Sequence, residues 1–174
     1  EAGLRKIVQS LPSLLGCSVE DNLELTLEWL QRHLGLDAAQ LKKMILTLPA
    51  LLGYSVERME SNCDWLRRRL DLDEARLRKM VLAYPSLLGY SVEDNMAPKL
   101  EFLAREIGLS HAELREWVVR NPVLLGLSLA NRYRPRLEAC RAAGVDATYV
   151  LTNISLPDEK FDERLERRAN VLSV

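Results

Sequence analysis

Apolar residues recur along the chain at positions i, i+3, i+4 and i+7, the spacing that gives an amphipathic helix one buried stripe. These stripes are interrupted by a motif of the form Pro-x-Leu-Leu-Gly-x-Ser, which occurs four times at intervals of 37, 36 and 37 residues. A fixed period of this length is typical of helical repeat proteins. We therefore expect an all-α fold, an α-solenoid (superhelix) of about four two-helix repeats of 36–37 residues. The motif prolines are Pro12, Pro49, Pro85 and Pro122.

The motif itself predicts how each repeat turns. A residue that precedes proline avoids the α region, so the helix before the motif, here called the second helix of its repeat, should end there. Pro-x-Leu-Leu is long enough for one 3₁₀ turn, and we expect the glycine to stop that turn with a positive φ. The serine should cap the following helix, the first helix of the next repeat. Pro98 and Pro135 lie seven residues after their serines, which predicts a kink or a delayed start in those two first helices.

The repeat frame predicts a single repeat domain over residues 1–174. It also predicts that the chain begins just inside a helix, with an upstream piece removed. The expected parts are a partial repeat with only the second helix at 1–12, full repeats at 13–49, 50–85 and 86–122, and a last repeat with degenerate C-terminal helices at 123–174.

Composition excludes several classes of function. The chain has 174 residues, 48% of them hydrophobic, but no apolar run of about eighteen residues, so we expect no membrane insertion. Its three cysteines lack the spacing of metal ligands, and their odd number favours a reducing compartment. We find no glycine-rich phosphate loop and no catalytic motif, and His33 and His111 have no repeated partner. We therefore predict no catalytic residues, no metal site and no cofactor.

The net charge of −1 does not by itself indicate a nucleic-acid partner, so the positions of the charged residues are more informative than their sum. The positions seven and six residues before each motif proline are basic in seven of eight cases. If the repeats stack, these side chains would form a basic ribbon along the second helices, which suits a phosphate backbone. The alternative interpretation is a solvent-exposed helix face that recurs only because the repeats arose by duplication. The basic residues at these positions are Arg5, Lys6, Lys42, Lys43, Arg78, Lys79 and Arg115, with Glu116 as the exception. A second candidate cluster for nucleic-acid binding holds Arg132, Arg134 and Arg136.

The repeat resembles that of the mitochondrial transcription termination factor (mTERF) family. The resemblance rests on Pro-x-Leu-Leu-Gly-x-Ser, on Pro98-Lys99-Leu100 and Pro135-Arg136-Leu137, and on the tail at 158–164. It covers essentially the whole chain and implies a helical superhelix with a central groove. Members act in mitochondria or chloroplasts and bind DNA or RNA in transcription, splicing or ribosome assembly. The near-neutral charge and the small number of repeats depart from the family pattern.

Two functions follow as expectations. The leading one is a non-enzymatic, organellar nucleic-acid-binding protein acting in transcription termination or regulation, RNA processing or ribosome assembly. The alternative is a protein-binding scaffold or structural subunit of a large organellar complex, which the near-neutral charge favours. The residues leave open whether the nucleic acid is DNA or RNA.

Overall fold

The computed structural model describes residues 23–172, which contain helices and turns and no strand. The all-α prediction is confirmed for this part of the chain, whereas the repeat boundaries and the single domain stay predictions. The described residues divide into two compact units, the first ending at Val92 and the second beginning at Glu93. The first unit contains α1 (Glu24–Leu34), α2 (Ala38–Thr47), α3 (Val56–Leu70) and α4 (Glu74–Ala83). The second contains α5 (Ala97–Arg105), α6 (His111–Arg120), α7 (Arg134–Ala142), α8 (Tyr149–Asn153) and α9 (Asp158–Leu172).

The proline-led turns lie where the sequence predicts them. The second helices α2, α4 and α6 each end one residue before the position that precedes proline, because that position cannot continue an α-helix. A 3₁₀ turn follows each of them, at Pro49–Gly53, Pro85–Gly89 and Pro122–Leu125. The paired leucines of these turns are buried: Leu51, Leu52, Leu87, Leu88, Leu124 and Leu125. Burying each such side chain contributes about 1.5–3 kcal/mol, so the turns belong to the core. The motif at Pro12 lies outside the described residues.

The expectation that the motif glycines take a positive φ is wrong. Gly126 has a φ of −92°, and neither Gly53 nor Gly89 is among the described residues with positive φ. At Gly89 the requirement is space, because a Cβ would overlap the ring of Tyr54. The left-handed positions instead follow the first helices, where they let the chain turn back into the second helix. They are Gly35, Asp71, Gly108 and Gly144.

Two of the predicted serine caps and both delayed starts are present in the described residues. Ser55 accepts a hydrogen bond from the backbone N–H of Arg58 at 3.3 Å, and Ser128 accepts one from Asn131 at 3.1 Å. In the two repeats with an extra proline, a five-residue π-helical turn precedes the α-helix, at Val92–Met96 and Leu129–Tyr133. The proline is then the second residue of α5 or α7, at the point where the π-helical turn passes into the α-helix. The capping role of Ser18 lies outside the described residues.

A buried polar side chain occupies the same place in every first helix of the described chain, a feature that the sequence analysis missed. We call these four the anchor residues: Thr26, Asn62, Lys99 and Arg136, at intervals of 36, 37 and 37 residues. Each donates to backbone carbonyls near the end of a later turn or helix, which is where helical carbonyls lack partners. The Thr26 hydroxyl reaches the carbonyl of Tyr54 at 3.4 Å, and the Lys99 ammonium reaches that of Leu125 at 2.7 Å. Burial lowers the pKa of Lys99.

Candidate nucleic-acid interface

Helix α2 carries the first basic pair on its exposed face. Asp37 and Gln40 form a capping box at its start, with the Asp37 carboxylate 2.8 Å from the Gln40 backbone nitrogen. Met44 and Ile45 bury the opposite face, which leaves Lys42 and Lys43 exposed. The helix contains no acidic residue, so the charges on its solvent face are positive only.

Helix α4 repeats the arrangement with one difference. Asp73 caps it by accepting from the Arg76 N–H at 2.7 Å, and Lys79 is exposed like its counterpart Lys43. Arg78 is half-buried instead, because its Nη2 donates to the carbonyl of Gly35 at 2.9 Å. That carbonyl lies at the C-terminus of α1, where the helix dipole favours a cation. Arg78 therefore contributes to packing as well as to surface charge.

The two basic helices lie side by side in the first unit. A groove of about 350 Å³ runs between them, lined on one side by Lys43 and Met44 of α2 and on the other by Leu82 and Ala83 of α4. Lys42, Lys43 and Lys79 make no ion pair with any residue between 23 and 172. We call these three residues the lysine face. Uncompensated ammonium groups on neighbouring helices attract phosphates through counterion release.

Helix α6 of the second unit carries acidic as well as basic residues, unlike the basic face of α2. Arg115 is half-buried and its Nε is shielded from solvent. Its neighbour Glu116 is exposed, and the acids Glu113 and Glu116 offset Arg115 and Arg120. The positive surface on this helix is weaker than on α2 and α4.

The arginine cluster of the second unit is largely occupied by contacts within the protein. Arg136 is 4% exposed, and its guanidinium donates to the carbonyls of Asn153 at 2.8 Å and Ile154 at 3.0 Å and to Asp158 at 2.7 Å. Arg132 also donates to Asp158, at 2.8 Å. The hydrogen bond from Arg136 and the charges of both arginines lower the pKa of Asp158. These contacts fix the start of α9 and use both terminal nitrogens of Arg136, and burial shields its Nε from a phosphate.

Arg134 is the exception in this cluster, because its side chain is exposed. Its guanidinium carbon lies 5.6 Å from the ring centroid of Phe102, which is close enough for a cation–π contact that fixes the side chain without neutralising it. Arg134 is thus the member of the three that presents its charge to solvent.

Other reactive groups have ordinary structural surroundings. Burial and the neighbouring Asp64 raise the pKa of the Cys63 thiol to about 12, and burial raises that of Cys140 to about 11, so both remain protonated at neutral pH. His33 stacks on Trp29 with ring centroids 4.7 Å apart. Within residues 23–172, no group of His, Cys, Asp and Glu side chains is arranged to hold a metal ion, and no helix has the length and apolarity to cross a membrane.

Comparison with known proteins identifies the repeat. No match is found among curated proteins. A family model described as mTERF matches residues 1–162, which is most of the chain and includes all four copies of the proline-led motif. The helical repeats and 3₁₀ turns seen in residues 23–172 agree with that match, since mTERF is a helical repeat family. The chain belongs to the mTERF family.

Proposed function

We propose that this protein binds nucleic acid without catalysing a reaction, and that the lysine face provides the principal contact with the phosphate backbone. Membership of the mTERF family suggests an organellar, nucleic-acid-binding role in gene expression. The observation that carries the proposal is the exposure of Lys42, Lys43 and Lys79 on neighbouring helices with no ion pair in the described chain.

The proposed contact reads the backbone and shape of the nucleic acid. Lysine ammonium groups are mobile point charges that suit phosphates, whereas base recognition needs side chains with defined donor and acceptor geometry. Arg78, half-buried on α4, adds to this contact, whereas Arg115 and Arg134 are proposed as separate contacts within the second unit. We leave Arg132 and Arg136 out of the interface because both pair with Asp158 at the start of α9 and Arg136 is buried.

The experiment compares a charge-reversed protein with the wild type. Lys42→Glu, Lys43→Glu and Lys79→Glu are combined, and binding to labelled single- and double-stranded DNA and RNA is measured by fluorescence anisotropy. We expect the affinity for the preferred nucleic acid to fall at least about tenfold, because three phosphate contacts are replaced by repulsion.

The matched control reverses three other exposed cations that make no ion pair in the described chain: Arg58→Glu, Lys160→Glu and Arg168→Glu. It changes the net charge by the same amount, and we expect less than a threefold loss, on the order of general screening effects. Equal losses in both variants would mean that net charge, rather than the lysine face, governs binding. Circular dichroism of both variants confirms that the helices remain folded.

The alternative function is a protein-binding scaffold or structural subunit of an organellar assembly. Exposed apolar residues at the end of α9, Val171 and Leu172, favour it, since such side chains commonly mark protein contacts. In the binding experiment this alternative predicts no affinity for any of the four nucleic acids at physiological salt. In either case we place the protein in a mitochondrion or chloroplast, as its family suggests, and microscopy of the tagged native protein tests that location.

A further inference from the structure

A second groove in the first unit lies between the first helices α1 and α3, on residues that the lysine face does not use. It has a volume of about 340 Å³, and its apolar lining comes from Leu25, Trp29 and Val56. Leu25 is 54% exposed although it lies within a helix, next to the anchor residue Thr26. Leu25 therefore adds an exposed apolar side chain to the edge of a groove that already has an apolar lining.

The rim of this groove is acidic. Glu28, Glu57 and Glu60 line it, and Glu57 makes no ion pair with any residue in the described range. Glu60 is held in place by the indole N–H of Trp29, which donates to it at 2.9 Å. The cations present do not balance the three acids, because Arg32 pairs with Glu28 at 3.2 Å and His33 lies 4.0 Å from Glu60.

We propose that the groove between α1 and α3 binds a short, basic, amphipathic helical segment of a partner protein. The net negative rim repels phosphates, so nucleic acid is a poor occupant, whereas lysine or arginine side chains complement it, most directly at Glu57, which has no ion pair in the described range. An apolar side chain of the segment packs against Leu25 and Val56. This inference concerns a different surface from the lysine face and does not rest on nucleic-acid binding.

The dimensions of the groove set the length of the segment. On α1 the lining residues Leu25, Glu28, Trp29 and Arg32 follow the i, i+3, i+4, i+7 pattern of one helix face over two turns. Two turns extend about 10 Å, so the groove contacts about two turns, or roughly seven to eight residues, of a bound helix. Recognition of an apolar face by a groove between helices is a common mode of peptide binding.

The test measures the binding of a labelled helical peptide of about 14 residues. Its leucines lie on one face, at i, at i+3 or i+4, and at i+7, and its other positions are lysines and arginines. A scrambled peptide of the same composition serves as the peptide control. We expect Glu28→Lys combined with Glu57→Lys to weaken binding of the helical peptide at least tenfold. Leu25→Ser should weaken it at least threefold, since it removes the apolar contact without burying a new group.

The matched protein control combines Glu101→Lys with Glu138→Lys, two exposed acids on α5 and α7. A change of less than twofold in this control supports the groove. Any of three results would overturn the proposal: no binding of the helical peptide, equal affinity for the scrambled peptide, or equal loss in the groove and control variants. The groove double variant should change nucleic-acid affinity no more than the Glu101→Lys, Glu138→Lys control of equal charge, which separates this surface from the lysine face.

Discussion

Replacing Arg136 with methionine is expected to lower the free energy of unfolding by about 2–5 kcal/mol, because several buried backbone carbonyls lose their donor at about 1–3 kcal/mol each. The guanidinium is 4% exposed and joins α7 to the end of α8 and the start of α9. Methionine fills much of the same volume but leaves the carbonyls of Asn153 and Ile154 without their donor. Urea denaturation followed by circular dichroism measures the change.

The control for this prediction is Arg134→Met, two residues earlier on the same helix. Arg134 is exposed and contacts the Phe102 ring, so its loss should cost less than about 1 kcal/mol. The structural role of Arg136 would be contradicted by a variant that keeps wild-type stability and loses nucleic-acid affinity, because that result is expected of a phosphate contact.

Replacing Asn62 with leucine is expected to lower the free energy of unfolding by about 2–4 kcal/mol. The Asn62 amide nitrogen lies 3.1, 3.0 and 2.9 Å from the carbonyls of Leu87, Leu88 and Tyr90, at the end of the Pro85–Gly89 turn. Leucine has nearly the same volume as asparagine, so the loss of stability comes from the buried carbonyls that lose their donor. Each such carbonyl costs about 1–3 kcal/mol if the surrounding structure does not relax. Thermal and urea denaturation both report this change.

The exposed neighbour Ser61 supplies the comparison for Asn62. Ser61→Ala should change stability by less than about 0.5 kcal/mol, as is usual for surface positions. If Asn62→Leu proves as mild as Ser61→Ala, the anchor residues do not hold the turns and the stability of the repeats comes from the leucine pairs alone.

The repeat itself was predictable because its signals are local. A proline ends the preceding helix and starts a 3₁₀ turn whatever its tertiary surroundings, and Asp37, Asp73 and Ser110 cap helices through residues three positions away. The delayed starts of α5 and α7 follow from Pro98 and Pro135 in the same way.

Features that depend on distant residues were missed or misread. Gly89 is required by the ring of Tyr54, which lies in the preceding repeat, rather than by its own φ. The anchor residues differ chemically, from threonine to arginine, so identity between repeats does not reveal them. Their shared period and position one residue before the apolar stripe are the signals that a search for recurring polar residues would detect.

The candidate nucleic-acid interface was likewise predictable where it depends on local sequence and not where it depends on distant residues. Position along the helix is sufficient to expect Lys42, Lys43 and Lys79 on a solvent face. Position along the helix does not reveal that Arg136 is buried, because the carbonyls that Arg136 binds lie 17 and 18 residues away along the chain. A basic residue in sequence is therefore a candidate for phosphate binding only after its partners within the fold are known.

The salt dependence of binding tests the central claim, that the lysine face contacts phosphates, most directly. The measurement compares the wild type with a neutralised variant, Lys42→Gln with Lys43→Gln and Lys79→Gln, across a salt series on the preferred nucleic acid. Loss of three phosphate contacts should flatten the slope of log affinity against log salt by about 2–3. The control Arg58→Gln with Lys160→Gln and Arg168→Gln should keep the wild-type slope. A neutralised variant whose slope equals that of the wild type would contradict the proposed interface.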